Sequence, residues 1–145
     1  MPFETDRHYD LAVPPAALWA SLAQVDRYQS WWPWLRRFDG AELAAGEAWH
    51  CLVQPPLPYR VRFTVHLEEV EAPHRVAASV SGDVAGQARV EVAAAGTGSR
   101  VRFVSQLDAS NGWLKAVARW ASPLAGFGHD WVMDAGARQF LDRAI

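Results

Sequence analysis

The sequence has 145 residues, a formal net charge of −2, eight tryptophans and one cysteine. This length is most simply a single domain with one hydrophobic core. With an isoelectric point near 6.2, the chain has no broad basic field. The charge therefore argues against nucleic acid as a partner and against attraction to acidic lipid headgroups.

The cysteine content and the N-terminal sequence indicate the cellular setting. Cys51 is the only cysteine, which excludes an intrachain disulfide and a thiolate-cluster metal site. Residues 1–6 lack a basic region followed by an apolar stretch, and no apolar run approaches the roughly 20 residues that span a bilayer. We therefore expect a cytoplasmic protein without stable membrane insertion.

The segment from Val13 to Leu35 carries the clearest local signals. Pro14-Pro15 suits a first helical turn, where the missing N–H has no intrahelical partner, so a short helix is predicted from about residue 15. Asp26 followed by Gln29 is the pattern of a capping box and predicts that a second short helix begins there. Pro33 disfavours the helical conformation at the residue before it and ends that helix.

Alternation of apolar and polar residues predicts seven strands. Turn sequences such as Asp39-Gly40 and Gly96-Thr97-Gly98 separate them. Short connections favour an antiparallel meander, because parallel neighbours need crossovers of about a dozen residues or more. The strands are expected at residues 3–13, 36–43, 47–54, 60–71, 75–81, 85–94 and 99–108.

The last third of the chain predicts the helix that covers this sheet. Apolar residues recur there at alternating spacings of four and three, which is typical of a helix with one buried face: Trp113, Val117, Trp120, Leu124, Phe127 and Trp131. Pro123, Gly126 and Gly128 predict a break or kink between about 121 and 129. A second helical run, from His129 to Ala144, has an apolar stripe of Met133, Ala137, Phe140 and Leu141.

Together these residues resemble the polyketide cyclase/dehydrase and lipid transport family of the START-like (SRPBCC, Bet v 1-like) superfamily. The matching residues are Val13-Pro14-Pro15, Leu18-Trp19, Val25-Asp26, Tyr28 and Trp31-Trp32-Pro33-Trp34. The resemblance extends over one domain, residues 1–145. It implies an α+β helix-grip fold, in which a curved seven-stranded antiparallel sheet wraps around a long, kinked C-terminal helix and two short helices follow the first strand. It also implies a ligand cavity between sheet and helix.

Strand parity and the helical stripe indicate which side chains would face that cavity. Trp31 or Trp34 could stack on a ligand at its mouth, or both could join the hydrophobic seam between the short helices and the sheet. The Trp113–Trp131 stripe is likewise either cavity wall or core. The residues expected to contact a ligand are Tyr9, Trp31, Trp34, Tyr59, Phe63, Phe103, Ser105, Trp113, Val117, Trp120 and Leu124.

Arg7, Tyr59 and His129 are the candidates for catalysis. Arg7 lies on the otherwise apolar face of the first strand, where it would either anchor a carboxylate, carbonyl or phenolate or reach out to water. Tyr59 offers a neutral hydroxyl on an inward face. His129 stands beside Asp130, and the pair either caps the last helical run or, with His129 turned inward, exchanges a proton with a bound carbonyl compound.

We expect no metal and no cofactor. His50 and Cys51 are neighbours on a predicted strand, so their side chains point to opposite faces of the sheet. The sequence has no His-x-x-x-His or paired-cysteine spacing, and Gly96-Thr97-Gly98 fits a hairpin better than a phosphate-binding loop.

Three functions are consistent with these observations. The leading hypothesis is a monomer or homodimer that binds a small hydrophobic molecule, such as a lipid, a polyketide or an aromatic metabolite. The alternative is a polyketide cyclase/aromatase-like enzyme that moves protons through Arg7, Tyr9, Tyr59 or His129. The third is a chaperone-activator-like module whose ligand is a protein surface. The small number of apolar side chains on the polar faces argues against this third hypothesis.

Overall fold

A seven-stranded antiparallel sheet dominates the computed structural model, which describes residues 3–57, 59–110, 112–113, 115–116 and 122–144. The strands are β1 (Phe3–Leu11), β2 (Leu35–Phe38), β3 (Ala48–Val53), β4 (Val61–Glu71), β5 (Arg75–Gly82), β6 (Val84–Ala95) and β7 (Gly98–Ala109). Their order in the sheet is β1-β7-β6-β5-β4-β3-β2, with β1 and β2 at the edges. This confirms the predicted antiparallel sheet of seven strands.

Short helices follow the first strand, and a long helix follows the last strand. They are α1 (Pro15–Leu22), a 3-10 turn (Val25–Arg27), α2 (Tyr28–Trp31) and α3 (Ser122–Arg143). Residues 112–113 and 115–116 are also helical. Within the described ranges, none of the helices combines the length and the apolar character needed to span a bilayer.

Two positions in the sheet depart from regular strand geometry. The register of β4 against β5 shifts between Leu67 and Glu69, and such a bulge bends a strand and increases its twist. Gly86 of β6 has φ +155, and a Cβ atom there would lie 1.9 Å from the carbonyl oxygen of Gln106. This position of β6 therefore requires glycine.

The outer face of the sheet is charged. Asp6 accepts hydrogen bonds of 3.0 and 2.8 Å from Arg102, and Asp10 accepts bonds of 2.9 and 3.4 Å from Arg100, each pair joining β1 to β7. These hydrogen bonds hold the pKa of both carboxyls below the ordinary aspartate value. Because all four groups are exposed to solvent, the pairs define a water-facing surface more than they stabilise the fold.

Strand β2 is shorter than predicted. It ends at Phe38 instead of residue 43, because side chains take over the backbone hydrogen bonding of the following loop. The Asp39 carboxylate accepts from the backbone N–H of His50 at 2.7 Å, and the Glu47 carboxylate accepts from Ala41 at 2.9 Å. Residues 39–43 therefore form a loop, although the sequence predicted that they would continue the strand.

The helices after β1 agree with the sequence only in part. Helix α1 begins at Pro15, with Pro14 at the N-cap position, as predicted. The predicted capping box is wrong, because Asp26 lies inside the 3-10 turn and caps neither that turn nor α2. The Gln29 amide instead donates to the carbonyls of Leu35 and Arg36 at 3.4 and 3.3 Å, which ties α2 to the start of β2.

Helix α3 has no break in its helical backbone. Of the break or kink predicted between about 121 and 129, a break is wrong from residue 122 onward, because Pro123 falls in the first turn, where its missing N–H has no intrahelical partner. A kink in this stretch stays a prediction. Residues 117–121, immediately before it, lie outside the described part. The predicted stripe is right for Phe140, which is buried, but wrong for Leu141, which is 42% exposed. Adjacent residues point about 100° apart on a helix, and here Phe140 faces the core while Leu141 lies towards solvent.

Aromatic rings join the short helices to α3. Trp31 is 1% exposed, and its ring meets Phe140 edge to face at 5.6 Å between centroids. The indole of Trp32 donates to the carbonyl of Gly136 at 3.0 Å. The core cluster joins α2 and α3 to α1 and to strands β1 to β6.

Candidate functional site

A cavity of about 360 Å³ lies between the inner face of the sheet and helix α3. Its wall comes from strands β3 to β7, from helix α3 and from the segments around Trp34 and Tyr59. Most of the described lining is aliphatic or aromatic, including Trp34, Trp49, Val61, Phe63, Val65, Leu67, Val76, Val80, Val90, Phe103, Leu107, Val132 and Met133.

Two alanines explain why this space is open. Ala78 of β5 and Ala88 of β6 are directly paired across the strands, and both line the cavity. A pair of larger side chains there would fill the volume above the centre of the sheet, because paired residues project to the same face. The cavity thus follows from small residues in the middle of an otherwise bulky inner surface.

One end of the cavity is polar. Thr5 of β1 and Ser105 of β7 are directly paired, and they are 5% and 3% exposed. The Thr5 hydroxyl lies 3.1 Å from Nε2 of His129, which projects from α3. Ser105 and His129 both line the cavity. Among the described residues, the Ser105 hydroxyl has no hydrogen-bond partner.

The partners of His129 define its protonation state. Its Nδ1 atom lies 3.4 Å from a carboxylate oxygen of Asp130. A carboxylate can only accept, so Nδ1 carries the proton and Nε2 accepts from the Thr5 hydroxyl. Burial lowers the pKa of His129 below its ordinary value, and the hydrogen bond to Asp130 opposes this shift only in part. The imidazole is therefore neutral near pH 7.

Arg7 pairs with two carboxylates at the edge of this polar end. Its guanidinium contacts Asp134 and lies 3.5 Å from Asp130, and its side chain is 29% exposed. Neither of the alternatives predicted for Arg7 describes this arrangement, because it does not line the cavity and is not simply solvated. Asp130 lies well inside α3, so the predicted helix-capping role is wrong; its carboxylate instead joins His129 to Arg7.

The predicted contact residues fall into three groups. Trp34, Tyr59, Phe63, Phe103 and Ser105 line the cavity. Tyr9, Trp31 and Trp113 are not among its lining residues. The side chains of Val117, Trp120 and Leu124 lie outside the described part of the structure.

Each of the three residues that do not line the cavity has another location. Trp31 belongs to the core, which is the second of its two predicted roles. Trp113 is 41% exposed, and its ring lies 6.0 Å from that of Tyr59 beside a shallow outer pocket. Tyr9 lies two residues beyond Arg7 on the same face of β1. Trp131, from the predicted stripe, lines a separate open pocket with Trp34 and Pro55.

Two groups outside the polar end, the half-buried Tyr59 hydroxyl and the buried Cys51 thiol, are held in their neutral forms. Burial raises the pKa of the Tyr59 hydroxyl, and it raises the pKa of the Cys51 thiol to about 12. Tyr59 can therefore act as a hydrogen-bonding group, whereas Cys51 is an inert core residue. In the part of the chain that the structure describes, no three His, Cys, Asp or Glu side chains are grouped to hold a metal ion.

Sequence reasoning missed the residue that completes the polar end. Thr5 shares the inward face of β1 with Tyr9, but its significance depends on its pairing with Ser105 and on the docking of α3. Asp134 was also missed as a partner of Arg7. Both contacts join positions more than a hundred residues apart, which local patterns do not connect.

A curled antiparallel sheet that holds a C-terminal helix over an apolar cavity defines a Bet v 1-like, helix-grip domain. The family described as "Polyketide cyclase / dehydrase and lipid transport" matches residues 3–143. The chain therefore belongs to the polyketide cyclase/dehydrase and lipid transport family.

Solved structures share this fold. TTHA0849 from Thermus thermophilus superposes with a TM-score of 0.71 at 11% identity, with 100% of each chain covered. Norcoclaurine synthase from Thalictrum flavum gives a TM-score of 0.63 at 13% identity, covering 99% of this chain and 88% of its own. Ara h 8.0201 gives 0.59 at 9% identity, covering 92% and 99%. At these identities the similarity shows the fold alone. No curated protein sequence is significantly similar to the chain.

Proposed function

We propose that the protein binds a small hydrophobic molecule, of the lipid, polyketide or aromatic-metabolite kind, in the cavity between the sheet and α3. The observation that carries this proposal is the cavity itself, about 360 Å³ of space with an almost wholly apolar lining. Ligand pockets typically measure about 300 to 1,000 Å³ and combine such a lining with a few polar groups.

Physical chemistry favours an occupant for this space. Protein interiors are close-packed, and a void deprives its lining atoms of dispersion contacts. An apolar molecule of suitable size would restore those contacts and leave water at the same time. The polar side chains of Ser105 and of His129, which is hydrogen-bonded to Thr5, would orient it.

Native mass spectrometry of the freshly purified protein, followed by solvent extraction, tests this proposal. We expect a stoichiometric adduct that is released as an apolar small molecule on denaturation. A mass without adduct, together with no binding of 2-methylnaphthalene in equilibrium dialysis, would refute the proposal.

A cavity-filling variant provides the matched test. Ala88→Phe should abolish adduct retention, because the new ring occupies the space above the centre of the sheet. Ala93→Phe is the control, since it introduces the same ring on the same strand at an exposed position. If both variants retained the adduct equally, the molecule would be bound elsewhere.

The polar end also supports a second candidate, a cyclase-like enzyme. His129 is a neutral imidazole on the cavity wall, hydrogen-bonded to Thr5 and Asp130; it can take up a proton from a bound carbonyl compound, and the imidazolium so formed can return that proton. Such an enzyme would promote ring closure in a carbonyl-bearing chain. Incubation with a released polyketide would then give a product of equal mass, or one lighter by a molecule of water, and His129→Gln would slow its formation.

No observation favours the protein-partner hypothesis. Among the described residues, Trp113 and Leu141 are the exposed large hydrophobic side chains, and they lie in different helical segments of the sequence. A partner-binding surface would be expected to present a contiguous apolar patch.

A further inference from the structure

The hydroxyl of Ser105 is the least explained polar group around the cavity. Its side chain lines the cavity, is 3% exposed and, among the described residues, has no hydrogen-bond partner. A buried hydroxyl without a partner is destabilising, so native proteins almost always supply one. A molecule bound in the cavity would supply such a partner.

The neighbours of Ser105 do not compete for its hydroxyl. Thr5, which is paired with it across the strands, directs its own proton to Nε2 of His129. His129 in turn directs its remaining proton to Asp130. Ser105 is therefore positioned to donate to, or accept from, a group on the ligand.

The charges around this end exclude a carboxylate on the ligand. Arg7 is already paired with both Asp130 and Asp134, which leaves that cluster with a net negative charge. The imidazole of His129 is neutral because it is buried. Arg89, which also reaches the cavity wall, shares the outer face of β6 with Glu91, and its Nε atom lies 2.7 Å from a carboxylate oxygen of that residue. An anion in the cavity would lose its water without gaining a counter-charge.

We infer that the ligand is an apolar molecule with one uncharged hydrogen-bonding group, a hydroxyl, phenol or carbonyl, which Ser105 binds, and that carboxylates are rejected. This inference rests on the proposed binding function and specifies its ligand class.

Three probes of similar shape test it at pH 7: 2-naphthol, 2-methylnaphthalene and 2-naphthoate. Their dissociation constants are measured by equilibrium dialysis for the wild type, for Ser105→Ala and for Ser79→Ala. Ser79 is the control, because its place in β5 puts it on the outer face of the sheet. Loss of one neutral hydrogen bond should weaken 2-naphthol binding to Ser105→Ala by about 3- to 10-fold. Binding of 2-methylnaphthalene should change by less than about 2-fold.

The outcomes separate this inference from the proposed function. The wild type and Ser79→Ala should both bind 2-naphthol at least about 10-fold more tightly than 2-naphthoate. The ligand class is wrong if Ser105→Ala weakens the binding of 2-methylnaphthalene and of 2-naphthol equally, or if 2-naphthoate binds as well as 2-naphthol. In either case binding of 2-methylnaphthalene to the wild type would still support the proposed binding function. If none of the probes binds, both fail. Thermal unfolding of Ser105→Ala confirms that the variant is folded.

Discussion

Thr5 links the sheet to helix α3 through one hydroxyl. Its hydrogen bond to His129 is 3.1 Å long and lies at the buried polar end of the cavity. The outer face holds a comparable pair, in which the Thr64 hydroxyl lies 2.8 Å from Nδ1 of His50. The two pairs have the same chemistry but differ in exposure to water, so they show what burial adds to a hydrogen bond.

We expect Thr5→Val to lower the free energy of unfolding by about 1 to 2 kcal/mol, because the buried imidazole loses the hydroxyl from which it accepts. Thr64→Val should change that free energy by less than about 0.5 kcal/mol, since water replaces the lost partner. Urea denaturation of both variants measures the difference. If the two variants lost the same free energy of unfolding, the lower exposure of the Thr5–His129 hydrogen bond would not increase its contribution to stability.

His129 should make stability depend on pH. Burial in the folded state lowers the pKa of this residue below its ordinary value of 6.5. Below about pH 6.5 the unfolded chain therefore takes up a proton that the folded chain does not. The free energy of unfolding should therefore fall as the pH drops from 6.5 towards the folded-state pKa. His129→Gln should remove this part of the decline in urea titrations between about pH 5 and pH 7.5. Parallel curves for the variant and the wild type would contradict this assignment.

At the scale of elements, the C-terminal half of α3 is fixed by aromatic and polar contacts with the segment around α2. Trp31 packs edge to face on Phe140, and the indole of Trp34 donates to the Gln139 side chain at 2.8 Å. The guanidinium of Arg143 donates to the Trp31 carbonyl at 2.8 Å. The aromatic motif thus serves mainly to dock the helix, while Trp34 also reaches the cavity wall.

Two adjacent residues of α3 test this docking. Phe140→Ala should lower the free energy of unfolding by about 3 to 5 kcal/mol, because it removes a buried ring and leaves a cavity beside Trp31. Leu141→Ala should cost less than about 0.5 kcal/mol, since Leu141 faces water. Chemical denaturation measures both. A large loss in Leu141→Ala would show that this side of α3 is covered in solution.

Element types were more predictable than element ends. The alternation of side chains gave all seven strands, because a half-buried strand must alternate. The end of β2 depended on Asp39 and Glu47, whose carboxylates bind backbone groups that local patterns do not identify. The helical break failed for a similar reason: the effect of Pro123 depends on its position in the helix, and the first turn tolerates it.

At the scale of the whole molecule, the family resemblance predicted a cavity, and the sequence indicated much of its wall. Phe63, Phe103 and Ser105 were assigned inward by strand parity, and they line it. The polar end could not be found in this way, because the pairing of Thr5 with Ser105 and the docking of His129 are long-range contacts. The open space above the paired Ala78 and Ala88 depends on strand register in the same way.

The charges of β1 have a further consequence for how copies of this protein meet one another. A sheet with two open edges invites another chain to add a strand. At one edge, β1 places Arg7 on its inner face and Asp6 and Asp10 on its outer face, and an incoming strand would have to take these charges out of water. At the other edge, β2 is four residues long and its pairing shifts register between Leu35 and Arg37. Both edges are thus poor templates for intermolecular strands, so the sheet can stay open around its cavity without promoting aggregation.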